Sequence, residues 1–538
     1  MAKYIIVVGG VISGTGKGIS AASIGLLLKL RGHDITLIKF DPYLNVNCGI
    51  IRPADHGEVF VCNDGSEVDL DLGSYERLVG IETSVKNICT SGTLHKELIE
   101  EQELGKYLGS TIQLIPHMTD KIQQRLLELG ENKDVVIAEI GGTVGDSESF
   151  SFFEGIRQFK QKLKEDVLIV MVAPILWVNT IKEFKTKPLQ NSVKELQRHG
   201  LQPDVMFCRT DRQVPEKILD KISMMTNVKR EFIIEAGDVK SIYQVPLEFY
   251  NHHVDDLFVD MLRLPRSACR ISKYRELVEK LILNDLPIVK IGIVYKYDNV
   301  EESYVSLKEA LVHAGIANNL KVEIVWIKAD DLEEKKDVSN FMKDISGIII
   351  PGGFGIRGIE GKIKAAKYAR ENNVPYLGIC LGLQIAVIEF ARNVCGFENA
   401  NSTEFNSKTE HPVINFIEGQ ENLQKKSGTL RLGAYDCELN KNSMAYRLYG
   451  KKIISERHRH RYEVNSEYVD VLGENGLCVV GINPENNLVE IIELSNHNYY
   501  VGTQYHGEYK SRLNLPHPLF VGLIEAAKTY SELHVKVS

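Results

Sequence analysis

Short apolar runs recur along the first half of the chain, each followed by a stretch with helical spacing. YIIVV (4–8), ITLIKF (35–40), VVIAEI (135–140), VLIVMVAP (167–174) and DVMFCR (204–209) are almost continuously apolar. Runs of that length and β-branched content predict strands buried on both faces. Segments 19–30 and 122–129 place apolar residues three and four apart and predict amphipathic helices. This alternation predicts an α/β domain with a mainly parallel, doubly wound sheet. The pattern breaks at LPRSACRISKYRELVEKLILNDLP (264–287), a charged stretch bounded by Leu-Pro pairs that holds a single amphipathic helix. It restarts with IVKIGIVY (288–295), VEIVWI (322–327), GIIIPGG (347–353) and VPYLGIC (374–380), which predicts a second doubly wound α/β domain. The expected division is 1–265, a linker at 266–287, and 288–538.

Length supports the division, because 538 residues exceed what one hydrophobic core sustains. Hydrophobic residues at 43% and charged residues at 25% are ordinary for a globular protein. A formal charge of -8 argues against nucleic acid or an anionic membrane surface as a partner. No apolar run reaches the length of a membrane span, and MAKYIIVVGG lacks a signal-peptide layout. Nine dispersed cysteines without C-x-x-C pairs suggest a reducing, cytoplasmic setting.

The first candidate chemistry follows the first strand. GGVISGTGKGIS (9–20) is a glycine-rich turn that opens a helix, so backbone N–H groups and the helix N-terminus can cradle an anion. Lys17 adds charge there. The turn departs from a standard P-loop: Val11 stands where the first glycine belongs, and Gly18 replaces the Ser or Thr that reaches a metal. A magnesium ion would then need carboxylates from elsewhere. The candidates are Asp69 and Asp71 in EVDLDLGSYER, and Glu139, Asp146 and Glu148 in AEIGGTVGDSES. Strand C-terminal ends are the ligand-binding edge of open α/β sheets, which favours Glu139. Lys39 in KFDPYLN, and Lys185 and Lys187 in KTKPLQNSVKEL, could bind further phosphates.

The second candidate chemistry is a thiol. GICLG (378–382) is a G-x-C-x-G turn between strand and helix, the thiol counterpart of a nucleophile elbow. Cys380 would sit exposed at the helix N-terminus, which favours a thiolate. Gly353 in PGGFG could lend an oxyanion N–H. His506 and Glu508 in QYHGEY supply a base and its orienting group. The charged RHRHRYE (457–463) reads as an exposed loop, or as the source of an Arg for a substrate carboxylate.

Together these segments resemble the CTP synthase family in colinear order: GGVISGTGKG, KFDPYLN, DHGEVFV, DLDLGSYER, YLGSTIQLIPH, AEIGGTVGD, KTKPLQNSVKEL, PGGFGIRG, PYLGICLGLQ, NSTEF, GTLRLG, RHRHRYEVN and QYHGEY. The second half resembles class I glutamine amidotransferases. The resemblance implies a P-loop-like amidoligase domain joined to a glutaminase domain, with UTP aminated to CTP at the expense of ATP. ATP would phosphorylate O4 of the uracil, and ammonia from glutamine would displace the phosphate. It implies an ATP site at Gly14, Thr15, Gly16, Lys17, Gly18, Ile19 and Asp71, with Lys17 and Lys39 stabilising the transferring phosphoryl group. Asp71 and Glu139 would hold Mg2+. UTP, or the inhibitory product CTP, would meet Ser13, Asp146, Ser147, Glu148, Lys185, Thr186, Lys187, Pro188, Leu189, Gln190 and Lys221. Cys380 would form a glutamyl thioester, His506 would move protons, and Glu508 would orient it. Glutamine would be held by Gly353, Leu381, Gly382, Leu383, Gln384, Glu404 and Arg461. Arg431 would belong to activation by GTP, an allosteric effector. A homotetramer, able to form filaments, is also implied. Gly507 stands where the family usually has Pro, and NCGII (47–51) departs from the usual nucleotide loop. Two other readings remain: an amidase for a larger ring substrate, and a scaffold descended from an enzyme.

Overall fold

The computed structural model describes residues 2–51, 57–283, 285–297, 300–416 and 430–535. Asp55 and His56 of the DHGEVFV segment lie outside them. The chain packs into two units. One comprises Met1–Cys48 with Asp71–Ile282, the other Gly49–Leu70 with Leu283–Ser538. The change of unit at Ile282/Leu283 falls within the stretch bounded by Leu-Pro pairs. The helix there, Ser272–Ile282, packs with the first unit, where the Tyr274 hydroxyl donates to the Tyr243 carbonyl at 2.8 Å.

The first unit is built on seven strands: β1 (Lys3–Gly9), β2 (Ile35–Asp41), β3 (Ile88–Thr90), β4 (Val135–Ile140), β5 (Val167–Pro174), β6 (Val205–Thr210) and β7 (Ile233–Gly237). They form one sheet in the order β7-β6-β5-β1-β4-β2-β3, and every pairing is parallel. β2 and β4 are buried along their whole length, as their largely apolar runs require, with Lys39, Asp41 and Glu139 the buried charges near their ends. The strand order reverses at β1, so the turn after it opens at the topological switch point, where such sheets bind ligands.

The second unit has nine strands in its main sheet: β8 (Ile288–Tyr295), β9 (Lys321–Lys328), β10 (Gly347–Ile350), β11 (Tyr376–Ile379), β12 (Arg431–Leu439), β13 (Ile453–His460), β14 (Leu477–Ile482), β15 (Val489–Leu494) and β16 (Tyr500–Thr503). Their order is β9-β8-β10-β11-β16-β15-β14-β12-β13. Pairing is parallel from β9 to β16 and antiparallel beyond it. The sheet is therefore mixed rather than wholly doubly wound. Its antiparallel half alternates polar and apolar residues and gives a weaker periodic signal than the parallel strands.

RHRHRYE is not an exposed loop. It continues β13 into strand Tyr462–Val464, and Arg457 and His458 are fully buried. The segment Gly49–Leu70, flanked in sequence by first-unit residues, packs on the second unit. Within it Phe60–Val61 and Glu67–Val68 pair as a short antiparallel ribbon.

Candidate active sites

In the first unit the glycine-rich turn leads into helix α1 (Lys17–Leu30). Gly14 and Gly16 hold left-handed backbone with φ of 70° and 83°, which side-chain-bearing residues rarely adopt. Lys17 Nζ donates to the Gly142 carbonyl at 2.7 Å. Burial lowers its pKa, and Lys39 lowers it further, against the pull of Glu139, Asp71 and Asp41. Lys39, at the end of β2, is buried among carboxylates. It pairs with Asp71, with Glu139 at 3.4 Å and with Asp41 at 3.9 Å. Burial opposes its charge, but the three carboxylates outweigh it and raise its pKa well above the ordinary value. Glu139, at the end of β4, accepts a hydrogen bond from the Tyr75 hydroxyl. Burial raises the pKa of Glu139, and Lys39 opposes the shift.

Gly18 lies against both acids. A Cβ there would stand 3.1 Å from Glu139 Oε2 and 3.2 Å from Asp71 Oδ1. The absent Ser or Thr of a standard P-loop thus has its place taken by two carboxylates. Their hard oxygens suit Mg2+, which commonly takes one or two protein carboxylates and completes its shell with phosphates and water.

Asp41 and Tyr75 were missed in the sequence, though both left a trace. Asp41 lies two residues from Lys39 on β2. Tyr75 lies four residues after Asp71 on helix α2 (Leu70–Val79), so the two share a face. Ser13, Asp146, Ser147 and Glu148 are exposed around the same sheet edge, and Asp146 accepts from the Thr143 N–H at 2.7 Å. Pro188 lies in the first turn of helix α3 (Lys187–Arg198), where its missing N–H costs nothing. Ser192 of α3 accepts from the Val11 N–H at 3.0 Å and ties this helix to the glycine-rich turn. Lys187 and Lys221 are exposed, whereas Lys185 pairs with Glu183 at 2.7 Å. Leu189 is a core residue, and Gln190 donates to Thr186 Oγ1 at 2.9 Å.

In the second unit Cys380 lies between β11 and helix α4 (Leu381–Asn393), with φ 54° and ψ -101°, and is buried rather than exposed, because the turn packs against its neighbours. The flanking glycines make this elbow possible. A Cβ on Gly378 would stand 2.6 Å from Gly382 backbone, and one on Gly382 only 2.1 Å from the Ile350 carbonyl oxygen. β11 and β16 are adjacent and parallel, with Ile379 opposite Thr503, so Cys380 and His506 leave the sheet at one edge. His506 Nδ1 lies 2.7 Å from Glu508 Oε1. Burial opposes the imidazolium, but Glu508 and Cys380 outweigh it and push the His506 pKa up to about 10. Gly352 fits between the reacting groups: a Cβ there would stand 2.7 Å from His506 Cε1 and 3.6 Å from Cys380 Cβ.

Glu404 accepts from the Gly355 N–H at 2.8 Å. Burial raises its pKa, with Gly355, Lys296 and Arg461 opposing. Lys296, not singled out in the sequence, donates to the Gly355 carbonyl at 2.6 Å, and burial pulls its pKa down to about 8. Gln384 Nε2 donates to the Tyr462 carbonyl at 2.8 Å, while Leu383 is a core residue. Arg431 is buried, paired with Glu490 at 2.7 Å and stacked over Tyr435, so its guanidinium is committed inside the protein. Gly507, the departure from His-Pro-Glu, faces the His517 ring, whose nearest atoms lie 2.5 Å from where a Cβ would be.

Comparison with known proteins matches the two halves of the chain to known families. Residues 3–264 match the family described as CTP synthase N-terminus, and residues 299–526 match glutamine amidotransferase class-I. A CTP synthase of Methanococcus maripaludis is 50% identical over 98% of this chain and 99% of its own length. One of Methanocaldococcus jannaschii is 48% identical over 98% of both. The glutaminase domain of Trypanosoma brucei CTPS, solved with bound acivicin, is 35% identical, covering 45% of this chain and 94% of its own, at a TM-score of 0.42. Half-identity sustained over nearly the full length, with both domains matched in order, places this chain in the CTP synthase family.

Proposed function

We propose that the protein converts UTP to CTP, driven by ATP, with glutamine as nitrogen donor. The observation that carries this reading is the pairing of two constellations in one chain. Lys17, Lys39, Asp71 and Glu139 gather at the C-terminal edge of one sheet, and Cys380, His506 and Glu508 at the edge of the other.

In the glutaminase step the Cys380 sulfur attacks the carboxamide carbon. The oxygen's developing charge is met by backbone N–H groups of Gly353 and Leu381. The His506 imidazolium donates its proton to the leaving ammonia, then as imidazole accepts one from the water that hydrolyses the thioester. Glu508 holds the ring by its Nδ1. Gln384, Glu404 and Arg461, with Gly382 and Leu383 shaping the turn, position the amino acid.

In the synthetase step the γ-phosphoryl group of ATP passes to O4 of the uracil, ammonia attacks C4, and phosphate departs. Lys17 and Lys39 offset the charge of the transferring group, and backbone N–H groups from Gly14 to Ile19 hold the neighbouring phosphates. Asp71 and Glu139 would hold Mg2+, which when bound neutralises phosphate charge. The segment from Lys185 to Gln190, together with Ser13, Asp146 to Glu148 and Lys221, receives UTP or CTP. The N-terminus of α3 offers a site for its phosphates.

GTP activation is part of the proposal. Arg431 serves it through its buried contacts rather than by touching the nucleotide. Self-association into a tetramer, in the cytosol, completes the reading. Ile99, Leu104, Leu108, Leu114 and Ile115 are exposed on one stretch of the first unit, an apolar surface suited to a second copy. Purified protein with UTP, ATP, Mg2+ and glutamine should produce CTP, faster when GTP is added. Absence of CTP with both glutamine and free ammonia would refute the assignment.

A further inference from the structure

β13 is the last strand of its sheet, so among the described residues no neighbouring strand sets the register of its outer edge. That edge nevertheless touches both His506 and Cys380. The Arg457 carbonyl accepts the His506 N–H at 2.8 Å, and the Arg459 carbonyl lies 3.7 Å from Cys380 Sγ, where it accepts from the sulfur in its thiol form. Carbonyls two residues apart on a strand face the same edge, and side chains two apart share a face.

Both arginine side chains reach the ribbon formed within Gly49–Leu70. Arg457, with no exposed surface, donates from Nε to Asn63 Oδ1 at 2.6 Å and from Nη1 to the Val61 carbonyl at 3.1 Å. Its guanidinium also lies 5.3 Å from the centre of the Phe60 ring. Arg459 donates from Nε to Glu67 Oε1 at 2.8 Å and from Nη2 to the Gly49 carbonyl at 3.4 Å. The seat of Glu67 exists only because residue 49 is glycine: a Cβ there would lie 1.9 Å from Glu67 Oε2. Two large cations are thus held by a segment that, among its described residues, supplies no strand to the sheet, an expensive arrangement if its only purpose were to fill space.

We infer that Arg457 and Arg459 are positioning residues of the glutaminase, resting on the function proposed above. The ribbon anchors their side chains, this fixes the register of the β13 edge, and the edge carbonyls hold His506 and Cys380 at reacting distance. Glu67 is the outer anchor and Gly49 its seat.

The test compares Glu67→Gln, Arg459→Met, their double variant and Arg459→Lys in the full-length enzyme. Glutamine hydrolysis and ammonia-dependent CTP synthesis are measured separately. A small misplacement of reacting groups should lower kcat for glutamine about tenfold in each single variant, with KM held within about twofold. Because both substitutions break one interaction, the double variant should lose about tenfold rather than about a hundredfold. Arg459→Lys should recover part of the loss, and ammonia-dependent synthesis should be unchanged throughout. The assignment is overturned if the loss lies in KM, if the two losses multiply, or if ammonia-dependent synthesis falls in parallel. A wild-type protein that neither hydrolyses glutamine nor forms CTP sinks the proposed function itself; an active one with indifferent variants sinks only this assignment.

Discussion

Gly382→Ala should cripple the glutaminase through a single methyl group. In the folded chain that methyl would stand 2.1 Å from the Ile350 carbonyl oxygen and 3.1 Å from its carbon. Ordinary contact begins near 3.4 Å, so α4 and β10 must part by about 1.3 Å, the difference between 3.4 and 2.1 Å. Neither side can yield cheaply, because the obstacle is backbone in a central strand. Helical Gly→Ala replacement ordinarily gains up to about 1 kcal/mol, whereas overpacking of this kind costs about 1–3 kcal/mol, so net destabilisation wins. The function suffers more. β10 runs directly into the turn carrying Gly353, and α4 begins at Leu381, so the displacement separates the two proposed oxyanion donors. A 1 Å error at reacting groups costs about a hundredfold in rate. The assay is glutamine-dependent against ammonia-dependent CTP formation, with a thermal melt of each protein. Gly473→Ala is the control: its Cβ would meet nothing within 4 Å. A Gly382→Ala enzyme that keeps its glutamine-dependent rate within about twofold would refute the steric argument.

Three further outcomes follow from the same geometry. Cys380→Ala should abolish glutamine-dependent synthesis and spare the ammonia-dependent reaction; equal loss of both would contradict separate sites. Lys39→Met removes the cation that opposes the raised pKa of Glu139, so the acid limb of ammonia-dependent synthesis should move to higher pH at fixed free ammonia. An unshifted limb would show that Glu139 ionisation is not needed. His506 has a pKa raised from 6.5 to about 10, so its contribution to stability is full below pH 6.5 and lost as pH climbs through 10. His506→Gln should therefore lose melting temperature relative to wild type at pH 6, with the gap narrowing toward pH 10; a constant gap would count against the imidazolium.

Much of this protein was legible in its residues alone. Largely apolar runs mark the parallel strands because both faces of such strands are buried. Left-handed glycines and a lysine mark the turn proposed to hold phosphate, because few other residues fit that backbone. G-x-C-x-G marks the elbow because only glycine lets the helix lie so close to the next strand. What tertiary structure decided is who stands beside whom. Local spacing puts Asp41 near Lys39 and Tyr75 near Asp71, but only the parallel pairing of β2 with β4 sets Lys39 beside Glu139, and only the packing of α2 brings the Tyr75 hydroxyl to Glu139. RHRHRYE carries the charge of a solvated loop, yet Arg457 is buried because Asn63, Val61 and Phe60 satisfy it. Gly49–Leu70 is sequence of one unit and packing of the other, since its partners are β13 arginines that local periodicity cannot reach. Sequence sets local backbone and burial tendency through side-chain size and polarity. Long-range pairing, which turns those tendencies into sites, depends on contacts between residues hundreds of positions apart and is settled only when the chain folds.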